Sequence, residues 1–243
     1  MDAVWRIFPV TTLTVRQFGG GRTARIAFLL SLLPVVFAAL YAVRPWDVAP
    51  GEFLLNLFQE LIVPTLLPIV VLLPATAAFG DELEDHTLPY LLMKPVSRLR
   101  LVLGKYAAVL LVTVPALLLG IVATYGVATR APNTEDLGNL LPAMIAAAVA
   151  AAALLSAVFL LVSLIIPRAL LAGMVYIFAW ESLLGRFLPG VQAISSREYT
   201  VRVFDGILDG DRDLATNAAL TMTVVAVLAL AIAVLRLRQM EVD

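Results

Sequence analysis

Cysteine is absent from the 243 residues and histidine occurs once. The first absence excludes disulfides, thiolate metal sites and cysteine nucleophiles, and the second excludes a multi-histidine metal centre. Charge is scarce as well: Asp, Glu, Lys and Arg make up 14% of the chain against 61% hydrophobic residues, and mean hydropathy is +0.96. A water-soluble fold cannot hide that much apolar surface. Seventeen basic side chains against eighteen acidic ones give a net charge of −1, so no basic surplus exists to hold a nucleic acid. No cleavable leader is expected, because the first apolar run begins at Ile26 behind Arg6, Arg16, Arg22 and Arg25, with no small-residue cleavage pattern after it.

What the chain has in abundance is uncharged sequence at bilayer length, about 20 residues per helix. Six runs qualify, over residues 26–43, 54–79, 106–129, 140–166, 169–187 and 214–235. The fifth is the least clean, since Glu181 lies near its far end. The reading is an all-α polytopic membrane protein with six transmembrane helices in one domain, residues 1–243. Placing both termini in the cytoplasm puts eleven of the seventeen basic residues inside, among them Lys94, Arg98, Arg100, Lys105, Arg168, Arg236 and Arg238. Acidic residues lean outward, with Asp205, Asp209, Asp211 and Asp213 all before the last span. Ahead of the first span, Val4, Ile7, Phe8, Thr11, Val15 and Phe18 recur at helical spacing, which predicts an interfacial helix over 1–20 divided at Pro9; the alternative is a disordered leader.

The most informative stretch is 81–105, between the second and third spans. Its charge changes sign along its length: Asp81, Glu82, Glu84 and Asp85 come first, then an apolar turn from Leu88 to Met93, then Lys94, Arg98, Arg100 and Lys105. Thr87 can cap a short helix with Pro89 early in it, and Pro95 ends that helix, leaving an apolar knob at the membrane surface. The plainer alternative is a solvated loop whose charges only fix topology. His86 has no second histidine or cysteine to complete a metal site, and reads as a polar turn residue. Gly104-Lys105 is no phosphate loop, since position 99 is Leu where glycine is required and Tyr106 stands where Ser or Thr would.

The run Glu82-x-Glu84-x-His86-Thr87-Leu88, followed by Pro95-Val96-Ser97-Arg98 and Gly104-Lys105, resembles the ABC-2 type permease family. The likeness extends in outline over the whole chain, although the family often has Gly where His86 precedes Thr87. It implies the permease subunit of an exporter, not itself an enzyme. It also implies a cytoplasmic coupling segment over 81–105, in which Glu82, Glu84, His86, Thr87, Leu88, Pro95 and Arg98 face an ATPase subunit. Two copies of that ATPase would bind the ATP and Mg, with no cofactor in this chain, and a second permease copy, identical as in a homodimer or a paralogue, would complete the path. The membrane would be the cytoplasmic membrane of a bacterium or archaeon.

Charged residues inside spans need a reason, because each costs roughly 2.5–3.5 kcal/mol at mid-bilayer. Glu60 and Glu181, with Arg186 one turn beyond, read either as an outer gate on the translocation path or as helix-end groups that snorkel or pair. Pro64, Pro68 and Pro74 in the second span and Pro115 in the third favour kinks, for gating or for static packing. Ala146–Ala148, Ala150–Ala153 and Ala157 let the fourth span approach a neighbour closely. The outer loop, 188–213, is half apolar and fits either a short helix dipping into the leaflet or surface disorder. Two other functions compete. A secondary carrier or channel would use Glu60 and Glu181 as coupling groups, and an intramembrane enzyme would need a base beside Ser31, Ser156 or Ser163, which the spans do not supply.

Overall fold

The computed structural model describes residues 22–43, 48–84, 97–130, 137–166, 168–175, 177 and 195–239, and for residues 22 and 81–84 the backbone alone. Inside lipid no water can satisfy a backbone N–H or C=O, so uncharged runs become helices. In chain order these are α1 (Arg22–Ser31), α2 (Leu33–Val43), α3 (Pro50–Leu57), a π-helical stretch (Phe58–Leu66), α4 (Leu67–Glu84), α5 (Arg98–Ala128), α6 (Leu140–Ile165), α7 (Ala169–Val175), α8 (Ser196–Leu208) and α9 (Arg212–Gln239). No strand occurs among the described residues. Five helical units are long and apolar enough to cross a bilayer: Thr23–Val43, Pro50–Gly80, Arg98–Ala128, Leu140–Ile165 and Arg212–Gln239. Of the span expected over 169–187, the described part is α7 and residue 177; the interfacial helix expected over 1–20 lies outside the described residues.

One boundary needs correction. The third span begins at Arg98, not at residue 106, so the last residues assigned to the coupling segment belong to α5. Ser97 explains the start, because its hydroxyl accepts a hydrogen bond from Arg100 N at 3.4 Å and caps the helix. The basic side chains of 98–105 suggested loop, yet arginine and lysine are good helix formers and can hang from a helix that leaves the bilayer. At the far end of the chain, Asp211 Oδ1 accepts from Asp213 N and Leu214 N, both at 3.1 Å, and starts α9 two residues ahead of the expected span. Gly210, at φ 77°, makes the turn into it from α8.

Proline shapes the first two spans. Pro34 has no N–H for the Leu30 carbonyl. The chain tightens there, with Leu32 N bonding Leu29 O at 3.2 Å and Val35 N bonding Leu32 O at 3.0 Å rather than Ser31 O, which divides the first span into α1 and α2. In the second span, Pro64 and Pro68 would press on the carbonyls of Glu60 and Pro64. The helix responds by widening to π geometry over Phe58–Leu66, leaving through a Leu67 N to Ile62 O bond.

The fourth span is the hub. α6 packs against α4, α5, α7, α8 and α9, and its buried face is paved with Ala143, Ala147, Ala148, Ala151, Ala152 and Ala157. Small side chains allow this close approach, and dispersion between helices then replaces the hydrophobic effect that lipid does not supply. The neighbours of that alanine face are helices of the same chain. Tyr41 stacks on Phe53 with ring centroids 4.2 Å apart and donates to Val48 O at 2.8 Å, tying the end of the first span to the start of the second. Spans one and three meet where a Cβ built on Gly120 would lie 2.0 Å from the Ser31 carbonyl oxygen, the same carbonyl that Val35 bypasses.

Gly120→Ala should therefore cost about 2 kcal/mol or more, because a backbone carbonyl cannot move aside as a side chain can. Gly126→Ala, with nothing within 4 Å of the added Cβ, should be neutral or stabilising by roughly 0.5–1 kcal/mol. Thermal unfolding of both variants in one detergent checks the contrast, and equal melting temperatures would mean that the spans do not meet in this way.

Candidate functional site

Two polar constructions stand at opposite ends of the bundle. The first lies at the end where α1 begins, α4 ends, α5 begins and α9 ends. There Phe79, Leu101, Val102, Leu160, Leu164, Ala233, Val234 and Leu237 form an apolar cluster of their own. Lys105 enters it. The residue is 2% exposed, its ammonium donates to the Ala78 carbonyl of α4, and Nζ stands 4.4 Å from the centroid of the Phe79 ring. The carbonyl dipole and the aromatic face together replace part of the hydration that the ammonium gives up. One residue later, Tyr106 Oη donates to the Ala153 carbonyl of α6 at 3.1 Å. The helices that enter and leave the segment 85–96 are thus pinned to each other and to the hub, about two turns inside their ends.

The second construction is at the other end, where the π-helical stretch meets α8. Phe58 packs on Phe204 with centroids 4.8 Å apart, and beside that contact Gln59 Nε2 donates to Asp205 Oδ1 at 2.9 Å. Arg197 Nη2 reaches Glu60 Oε1 at 3.3 Å and the Gln59 carbonyl at 3.4 Å. Glu198 and Arg202 pair along α8 at 3.1 Å. Burial raises the Asp205 carboxyl above the ordinary aspartate range, and the negative charge of Asp209 adds to the rise; the Gln59 hydrogen bond opposes it, and Glu198 adds a little more. The described part of the stretch 188–213 is thus mostly the helix α8, whose apolar side, including Val203 and Phe204, is buried on the bundle.

Glu82 and Glu84 lie in the last turn of α4 and Arg98 is the first residue of α5, so the described part of the coupling set flanks the Lys105 tie. His86, Thr87, Leu88 and Pro95 lie outside the described residues, as do Glu181 and Arg186. Glu60 is exposed in the π-helical stretch, and the structure joins it to Arg197. Lys105 is read from the sequence as loop and its burial is missed; the signal that could find it is that Leu101, Val102, Lys105, Ala108 and Val109, all buried, repeat at helical spacing. Gln59, Arg197 and Asp205 carried no such signal, since the pairs span 146 and 137 residues of sequence. Ser31 and Ser163 donate to carbonyls of their own helices at 2.7 Å, while the buried Ser156 hydroxyl has no partner among the described residues. None of the three shows a base among the described residues.

Because the folded state favours the protonated Asp205 carboxyl, stability from this group is lost as pH rises from about 3.9, the ordinary aspartate value, through the raised folded value. Asp205→Asn keeps an oxygen to accept from Gln59 and removes the charge. The variant should melt above the wild type at neutral pH, and the gap should close as the pH falls below about 4. Melting curves across that range check it, and a gap that does not change with pH would contradict the assignment.

No curated protein matches the chain. The family profile described as ABC-2 family transporter protein matches residues 22–186, about two thirds of the sequence, from the start of α1 past the end of α7. The matched region holds the hub helix, the Lys105 tie and the whole segment between α4 and α5. This multi-pass helical chain belongs to the ABC-2 family of transporter proteins.

Proposed function

We propose that the chain is the permease subunit of an ATP-driven exporter and that the segment 81–105 is its grip on a separate cytoplasmic ATPase. The observation that carries this reading is the sign-ordered segment in a family-matched region, set between two helices tied by Lys105 two turns above it. Six spans, with the fifth over 169–187, and both termini in the cytoplasm complete the topology. The gathering of Arg98, Arg100, Arg168, Arg236 and Arg238 at the end that would face the cytoplasm supports that orientation.

In this reading two ATPase copies bind ATP and Mg and close on hydrolysis-competent sites of their own. Glu82, Glu84, His86, Thr87, Leu88, Pro95 and Arg98 take up that movement and pass it to α4 and α5 in each of two permease chains. The bundle then shifts between two arrangements that differ in access to the two faces. Glu60, with Glu181 and Arg186, forms the outer gate. The engagement of Glu60 by Arg197 favours a gate or structural role over that of an ion-coupling carboxylate, which disfavours the secondary-carrier alternative.

The test is uncoupling. Glu82→Ala or Thr87→Ala should leave insertion and ATP hydrolysis by the assembled complex in place. Transport should fall by roughly 5- to 150-fold, the range of a coupling free energy of about 1–3 kcal/mol. Unchanged transport in both variants, or failure of any ATPase to co-purify with the wild type in mild detergent, would overturn the assignment.

A further inference from the structure

We propose that the recess between α1, α4 and α7 binds the headgroup of an anionic lipid drawn from the leaflet at the termini's end of the bundle. The recess is a cavity of about 550 Å³, the size of a small-ligand pocket. Thr23 and Arg168 supply its hydrogen-bond donors, and Leu73, Leu170 and Leu171 give it apolar walls. Among the described residues that line it none is acidic. A described lining that carries one guanidinium among apolar side chains fits a ligand that is anionic at one end and aliphatic at the other.

Arg168 is the distinctive element. Its backbone lies in the left-handed region at φ 61°, the one non-glycine residue with positive φ among those described. Glycine would occupy that conformation without the Cβ clash, so the backbone at this position bears a strain. The Arg168 side chain is exposed, and among the described residues no carboxylate pairs with it. A guanidinium presents a planar fork that matches the oxygens of a phosphate diester.

Depth agrees with a headgroup. α6, with 26 residues, is about 39 Å long, whereas the hydrocarbon core is about 30 Å thick. Arg168, three residues beyond Ile165, therefore stands in the headgroup layer, while Leu73 and Leu171 face the level of the upper acyl chains. A zwitterionic headgroup would bring its own cation to this lone arginine, so the site should favour lipids of net negative charge.

Native mass spectrometry of the full chain in mild detergent, titrated with phosphatidylglycerol or phosphatidylcholine, tests the proposal. Wild type should retain phosphatidylglycerol about tenfold better, a difference of about 1.4 kcal/mol. Arg168→Gly and Arg168→Asn, both suited to a left-handed backbone, should lose that preference while melting no lower than wild type, and Arg168→Lys should keep part of it. Soluble glycerol phosphate should not compete. The proposal is overturned if both neutral variants retain phosphatidylglycerol as wild type does or wild type takes both lipids alike. Displacement of the lipid by glycerol phosphate would also overturn it, by identifying the occupant as a free phosphate ester.

Discussion

The hydrocarbon core allows no unsatisfied backbone group, and most of the irregular features of this bundle are local answers to that rule. A proline inside a span deletes a donor and crowds a carbonyl, and no water is at hand to repair the loss. At Pro34 the repair is a tightened turn through Leu29 and Leu32, and the bypassed Ser31 carbonyl is met by the Cα of Gly120. A Cα–H contact of this type is weak, but it places a positive edge where a donor is missing. At Pro64 and Pro68 the repair is the π-helical stretch, which enlarges the backbone ring instead of breaking it. That stretch carries Gln59 and Glu60, so the same adjustment that accommodates the prolines also presents the two polar side chains to α8.

Between its two polar ends the bundle is held by shape. Alanine along α6 gives no directional contacts, and its role is to let α4 and α9 come close enough for their larger side chains to interlock. Direction and register come from the ends, where Lys105 fixes α5 against α4 and Gln59 with Asp205 fixes the second span against α8. These contacts differ in kind. Lys105 is fully buried, so removing its partners would strand an ammonium among apolar side chains, whereas the Glu60 side chain is 57% exposed.

The fold was legible because one physical quantity, the length of an uncharged run, decides it. That quantity finds the first, second, third, fourth and last spans. It fails at helix ends, where side chains leave the hydrocarbon but the backbone remains helical, and so the start of α5 was placed eight residues late. The polar sites were only half legible. Helical periodicity can place Lys105 on a buried face, which the loop reading missed, yet it cannot say that the face meets Ala78. No local pattern joins Glu60 to Arg197, because that contact depends on how the fourth and last spans seat α8. Glu60 stood out as a charge in lipid, while its partner, on an exposed-looking stretch of mixed composition, did not.

The Lys105 tie also constrains how any movement can cross this chain. A displacement applied to the segment between α4 and α5 meets two helices that cannot separate near their ends without pulling an ammonium away from both its carbonyl and its aromatic partner. The pair must then travel together or not at all. Tyr106 links it to the fourth span through a hydrogen bond to the Ala153 carbonyl, beside a face of small alanine side chains. At the opposite end the second span loses α-helical geometry over Phe58–Leu66. Motion of a rigid α4–α5 pair would therefore be absorbed in the π-helical stretch, where backbone hydrogen bonds are already rearranged and where Gln59 and Glu60 hold α8. On the proposed coupling, a push at one face of the bundle would reach the polar contacts at the other through that stretch of the second span.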